Sequence, residues 1–144
     1  MGSFEPILIP GSDSRLESEI ESGRDEVLHF KAPETSSKLA VYGPYASLPA
    51  GHYRLELQFS VRERASGELS IELCHRRAAL IFYTRMVFPW EVERGFIRIS
   101  YPFAQPIEGL EIRLRVPPKC EGSIKQLSIE ARSDTAAPPS STEK

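Results

Sequence analysis

The run from His52 to Val61 alternates strictly in polarity, with Tyr53, Leu55, Leu57, Phe59 and Val61 separated by Arg54, Glu56, Gln58 and Ser60. A strand turns successive side chains to opposite faces, so this spacing gathers the apolar groups on one side of a sheet and the polar groups on the other. A helix would scatter the same residues around its surface. The rhythm recurs in Gly67–Cys74 (Leu69, Ile71, Leu73), in Gly95–Phe103 (Ile97, Ile99, Tyr101, Phe103) and in Gly109–Val116 (Leu110, Ile112, Leu114, Val116). A chain built this way needs a second apolar surface to cover the first.

Turn residues separate the runs: Pro49-Ala50-Gly51, Ser66-Gly67, Arg94-Gly95, Glu108-Gly109 and Glu121-Gly122. Short strands at regular spacing with such punctuation predict an all-β fold, an antiparallel two-sheet β-sandwich. About eight strands fit the jelly-roll form best. Val27–Lys31 and Leu39–Leu48 supply early strands, and Gly43-Pro44 marks an edge or bend in the second because proline cannot donate to a ladder. Ala78–Phe88 is apolar on both faces through Leu80-Ile81-Phe82-Tyr83, which predicts a central strand or one covered on both sides. In Ser123–Ala131 the phase changes between Ile124 and Leu127, which predicts a bulge near Lys125 and Gln126.

Residues 1–26 read as a partly irregular N-terminal segment in which Asp13 caps a short helix through Leu16 and Ile20 or the chain forms an irregular first strand. Residues 27–131 are the sandwich. Residues 132–144 hold small polar residues and prolines with nothing to bury and read as a disordered tail.

The chain has 144 residues, enough for one domain with its own core, and a net charge of −2. No overall field recruits nucleic acid or an anionic membrane at that charge. No apolar run approaches the roughly 20 residues that cross a bilayer as a helix. The N-terminus lacks the basic-then-apolar pattern of a secretory signal, so the expected location is the cytoplasm. Cys74 and Cys120 stand apart from any Cys/His cluster; free thiols and a single bridge are both open.

A catalytic signature is missing, and the expectation is a protein that is not an enzyme and needs no cofactor. His29, His52 and His75 form no paired metal-ligand motif, no glycine-rich loop precedes a helix, and no nucleophile elbow occurs. Glu56, Glu68 and Glu72 fall at strand positions facing away from the core.

The most distinctive stretch is Val41-Tyr42-Gly43-Pro44-Tyr45-Ala46-Ser47-Leu48-Pro49-Ala50-Gly51-His52-Tyr53. It resembles the GPY-x-x-L-P-x-G-x-Y pattern of bacterial carbohydrate-binding-module-like jelly rolls, in which this turn leads into a long alternating strand. The resemblance covers about a dozen residues. It implies a jelly roll and a non-catalytic glycan-binding module accessory to sugar-handling enzymes. Much of the motif also has an architectural reading, with Gly51 making the turn, Pro49 stiffening it and Tyr53 beginning the core face.

Sugars present flat apolar C–H faces ringed by hydroxyls, so a binding site wants an exposed aromatic beside charged groups that hydrogen-bond. Trp90 in Phe88-Pro89-Trp90-Glu91, with Tyr42 and Tyr45 flanking the Gly43-Pro44 bend, are the candidate platforms. Arg76, Arg77 and Glu91 are the candidate polar partners. The competing reading folds Trp90 back as a lid on the core. Glu17-x-Glu19 resembles the carboxylate pair with which some carbohydrate-binding modules hold calcium, and surface charge is the alternative. The partners that follow are a glycan or polysaccharide or, if the jelly roll serves instead as an interaction module, a second copy or another protein.

Overall fold

The structure, a computed structural model, describes residues 5–63, 67–75 and 80–132. Of the predicted tail only Arg132 is described, at the end of a strand, and the rest, together with Arg76 and Arg77, lies outside the described residues. The strands are β1 (Ile7–Pro10), β2 (Glu21–Arg24), β3 (Leu28–Lys31), β4 (Lys38–Leu48), β5 (Gly51–Glu63), β6 (Ser70–His75) and β7 (Leu80–Met86). The helix α1 (Pro89–Arg94) follows, then β8 (Phe96–Phe103), β9 (Ile107–Val116) and β10 (Glu121–Arg132). They form two antiparallel sheets, a six-stranded one in the order β2-β3-β10-β5-β8 with β1 also on β10, and a four-stranded one in the order β4-β9-β6-β7. This is a jelly-roll-type sandwich, with more strands than the eight expected because the N-terminal segment adds β1 and β2.

The alternation in β5 sets the core. Leu57 pairs with Leu127 of β10 on one side and Ile97 of β8 on the other, and all three are almost fully buried. Leu110, Ile112, Leu114 and Val116 of β9 answer them from the facing sheet. The register of β10 on β5 shifts between Ile124 and Gln126, at the position of the phase change in the sequence.

The predicted placement of Ala78–Phe88 is corrected. Its strand β7 is an edge strand that among the described residues pairs with β6 alone, and Leu80, Ile81 and Met86 are exposed. The two-sided apolarity has another cause. A register shift opposite Leu73 and Cys74 lets consecutive residues Phe82 and Tyr83 both turn toward Tyr101 of β8, at ring-centroid distances of 5.2 and 5.9 Å. These rings seal the side of the sandwich where the edges β7 and β8 meet.

The opposite edge, β4, is guarded by the N-terminal segment. Tyr42 and Glu17 exchange backbone hydrogen bonds of 2.8 Å, and Glu19 Oε1 accepts the Leu39 N–H at 2.8 Å. Residues 11–20 form turns rather than a helix. Asp13 caps one of them by accepting from the Arg15 N–H and guanidinium, which holds its pKa at about 2. Gly43 is required here: its φ is 131°, and a Cβ would stand 2.2 Å from the Arg15 carbonyl oxygen.

Candidate functional site: an aromatic platform at the turn between the sheets

α1 carries the chain from the edge of one sheet to the edge of the other. Pro89 opens it at N1, where the missing N–H costs nothing. Gly95 closes it in the left-handed conformation with φ 89°. Glu91 at N3 turns back and accepts the Phe88 N–H at 2.9 Å. The Arg85 guanidinium donates to both Glu91 oxygens, at 2.9 and 2.8 Å, and its Nε donates to the Tyr83 hydroxyl at 3.0 Å. The Arg85 hydrogen bonds hold the Glu91 carboxyl below the usual carboxylate range despite its burial. A two-pronged ion pair of this kind fixes direction as well as distance.

Glu91 was expected to face a ligand; instead it is 2% exposed with both oxygens occupied. Its role is to lock the turn, because a buried carboxylate must be paired.

The locked turn presents two rings outward. Phe88 and Trp90 are parallel to within 6°, with centroids 5.8 Å apart, and are 49% and 54% exposed. Trp90 is therefore not a core lid. Guanidinium groups continue the stack: Arg85 lies 5.5 Å from the Phe88 centroid, and Arg94 lies 4.8 Å from Trp90 and 4.0 Å from Phe96. Arg98 lies 5.0 Å from the Phe96 centroid. Each cation–π contact is favourable and restricts the rings. The result is a stack of rings and guanidinium groups that leaves about half of Phe88 and of Trp90 exposed.

Tyr42 and Tyr45 stand elsewhere. They belong to β4, at the opposite edge of the four-stranded sheet from β7, about 14 Å away across three strand spacings. They do not share a site with Trp90. Tyr45 occupies a bulge between Pro44 and Ala46 with φ 67°. Tyr42 heads a row across the outer face of the sheet, opposite Arg113, then Glu72, then Thr84. Its hydroxyl pKa is raised by burial and by the nearby carboxylates of Glu17, Glu19 and Glu111. Arg113 Nε lies 3.7 Å from Glu72 Oε1 and 3.8 Å from Glu111 Oε2. This face is charged, and Tyr42 and Tyr45 are each half-buried.

Glu17 and Glu19 belong to the β4 edge contact, where Glu19 spends an oxygen on Leu39. Among the described residues no cluster of His, Cys, Asp and Glu is grouped to hold a metal. Cys74 and Cys120 are buried free thiols rather than a bridge.

Phe88 and Arg94 escaped the sequence reading. Their signal was present as Pro at N1 with Glu at N3, which opens a helix and sets Arg94 four residues beyond Trp90 on one face.

No protein-family model matches the chain, and neither does any curated protein. Solved structures do resemble it. The C-terminal CBM6 of LamC, a marine laminarinase from Zobellia galactanivorans, superposes with a TM-score of 0.53 at 10% identity, over 88% of this chain and 99% of that one. A variant of CBM29-2, a family 29 carbohydrate-binding module, gives 0.51 at 10% identity, over 95% and 99%. The Gap123 glycosylation-associated complex from Streptococcus agalactiae gives 0.52 at 12% identity over 89% of this chain but 26% of that one. At such identities the likeness is one of fold: the chain has the jelly-roll sandwich architecture of carbohydrate-binding modules.

Proposed function

We propose that this domain is a non-catalytic glycan-binding module, accessory to sugar-handling enzymes, and that Phe88 and Trp90 are its sugar platform. The observation that carries the reading is that both rings are half-exposed and parallel while the turn that bears them is held by the Arg85 ion pair to the buried Glu91 carboxylate. Exposed aromatics lose contact with water favourably only against another apolar surface, and the C–H face of a pyranose is one. A rigid platform loses little entropy on binding. The carbohydrate-binding modules that share the fold add support. A single shallow surface of this kind gives weak binding, so repeated units on a polysaccharide are the natural ligand.

A glycan array, followed by affinity electrophoresis of the wild type and Trp90→Ala in gels containing each responding polysaccharide, tests this. Retardation of the wild type and not of the variant, with equal melting temperatures, supports the platform. Equal retardation of both removes it.

A second reading has its own observation. Among the described residues β7 is an unpaired sheet edge whose exposed Leu80, Ile81 and Met86 lack the lysine or proline that usually guards one. This edge favours strand pairing with a second copy or another protein. A solution mass measured by light scattering for the wild type and Ile81→Lys tests it; a monomer in both counts against self-association.

A further inference from the structure

We infer that the platform is selective for acidic glycans, with Arg94 as the group that receives the carboxylate of a hexuronate; this rests on the platform reading above. Three guanidinium groups line the row of rings, and they differ in how their charge is met. Arg85 is taken by both oxygens of Glu91. Arg98 donates through Nε and Nη2 to Glu56 Oε1, at 3.0 Å each. Arg94 spends only its Nε, on the Phe96 carbonyl at 3.0 Å. Its Nη2 stands 4.0 Å from Glu91 Oε2, outside hydrogen-bond reach, and that oxygen already accepts from Arg85.

Arg94 therefore brings a positive charge to the platform that no carboxylate among the described residues engages in a hydrogen bond. Its position is fixed by packing against Phe96 and Trp90, at 4.0 and 4.8 Å, while a third of its side chain remains exposed. A guanidinium packed against rings keeps its other N–H groups, whose planar fork matches a carboxylate. It lies one helical turn from Trp90 on the same face of α1. Arg94 Cζ stands 4.8 Å from the Trp90 ring centroid, so a pyranose against the exposed part of the indole has this guanidinium within reach of its ring substituents. A neutral hydroxymethyl group accepts a hydrogen bond there with charge on the donor alone; a carboxylate accepts one with opposite charges on both partners.

The test is titration calorimetry with oligomers of galacturonate and of mannuronate, each as the free acid and as the methyl ester, which keeps the ring and removes the charge. Neutral cello- and laminari-oligosaccharides form a second set. A hydrogen bond to a charged group predicts about 10-fold or greater preference for one free acid over its ester. Arg94→Gln, checked for an unchanged melting temperature, abolishes the preference, and added salt reduces it in the wild type alone. Equal affinity for acid and ester, or an acid preference untouched in Arg94→Gln, overturns the inference. Binding of neutral oligosaccharides alone, lost in Trp90→Ala, overturns the Arg94 assignment and leaves the platform standing. Silence from both sets overturns both.

Discussion

The hydroxyl of Tyr53 donates to the carbonyl of Pro49 at 2.6 Å, across the turn that joins β4 to β5. This bond gives the Leu48-Pro49-x-Gly51-x-Tyr53 spacing an architectural meaning. Leu48 and Tyr53 enter the core from either side of the turn, and the phenol ties the turn down over them. Tyr53→Phe keeps the ring, which also packs 5.8 Å from Phe103, and removes the bond to Pro49. The expected loss is about 1 kcal/mol, read as a lower denaturation midpoint with an unchanged slope. No loss would mean that the turn is held by packing alone.

The strand phase makes a paired prediction. Leu57→Ala empties a site 3% exposed between Leu127 and Ile97 and costs about 2–5 kcal/mol. Glu56→Ala, on the opposite face, breaks hydrogen bonds to Arg98 and Gln58. Arg98 is well exposed, and solvent screening limits the cost to about 1 kcal/mol or less. Urea unfolding of the two variants checks this, and equal costs would contradict the assigned faces.

The Glu91–Arg85 pair has a pH signature. Glu91 is lowered in the folded protein, so its contribution is fully present at neutral pH and is lost as pH falls through the ordinary carboxylate range toward the lowered native value. Glu91→Gln leaves Arg85 without its anion and costs about 1–3 kcal/mol at neutral pH, less than a fully buried pair because Arg85 is partly exposed. The gap between wild type and variant narrows as acid is added. Thermal melts across a pH series measure it; a gap that stays constant into acid would place the effect in shape rather than charge.

The fold was largely legible because alternation is local. Leu57 and Glu56 declare their faces within one strand, and the Ile124–Gln126 bulge declares itself as a slip in phase. The position of β7 was not legible. A strand covered on both sides and an edge strand turning Phe82 and Tyr83 into one aromatic seal produce the same run of apolar residues. At the site, Trp90 was found because a lone tryptophan beside a proline is conspicuous. Its companions were not, since Phe88 becomes a partner only when Pro89 opens a helix rather than ending a strand. The burial of Glu91 depends on Arg85, which the sequence places on a different element. The separation of Tyr42 and Tyr45 from Trp90 is a matter of strand order, which no local pattern encodes.

Trp90 is the sole tryptophan in the chain, so its fluorescence reports on the platform directly. A half-exposed indole emits at long wavelength, and stacking against a sugar ring removes water from one face. Titration with a polysaccharide selected on the array is predicted to shift the emission to shorter wavelength and to saturate at the affinity found by calorimetry. Saturable binding by calorimetry with no change in Trp90 emission would contradict the account, because the sugar would then be bound somewhere else on the sandwich.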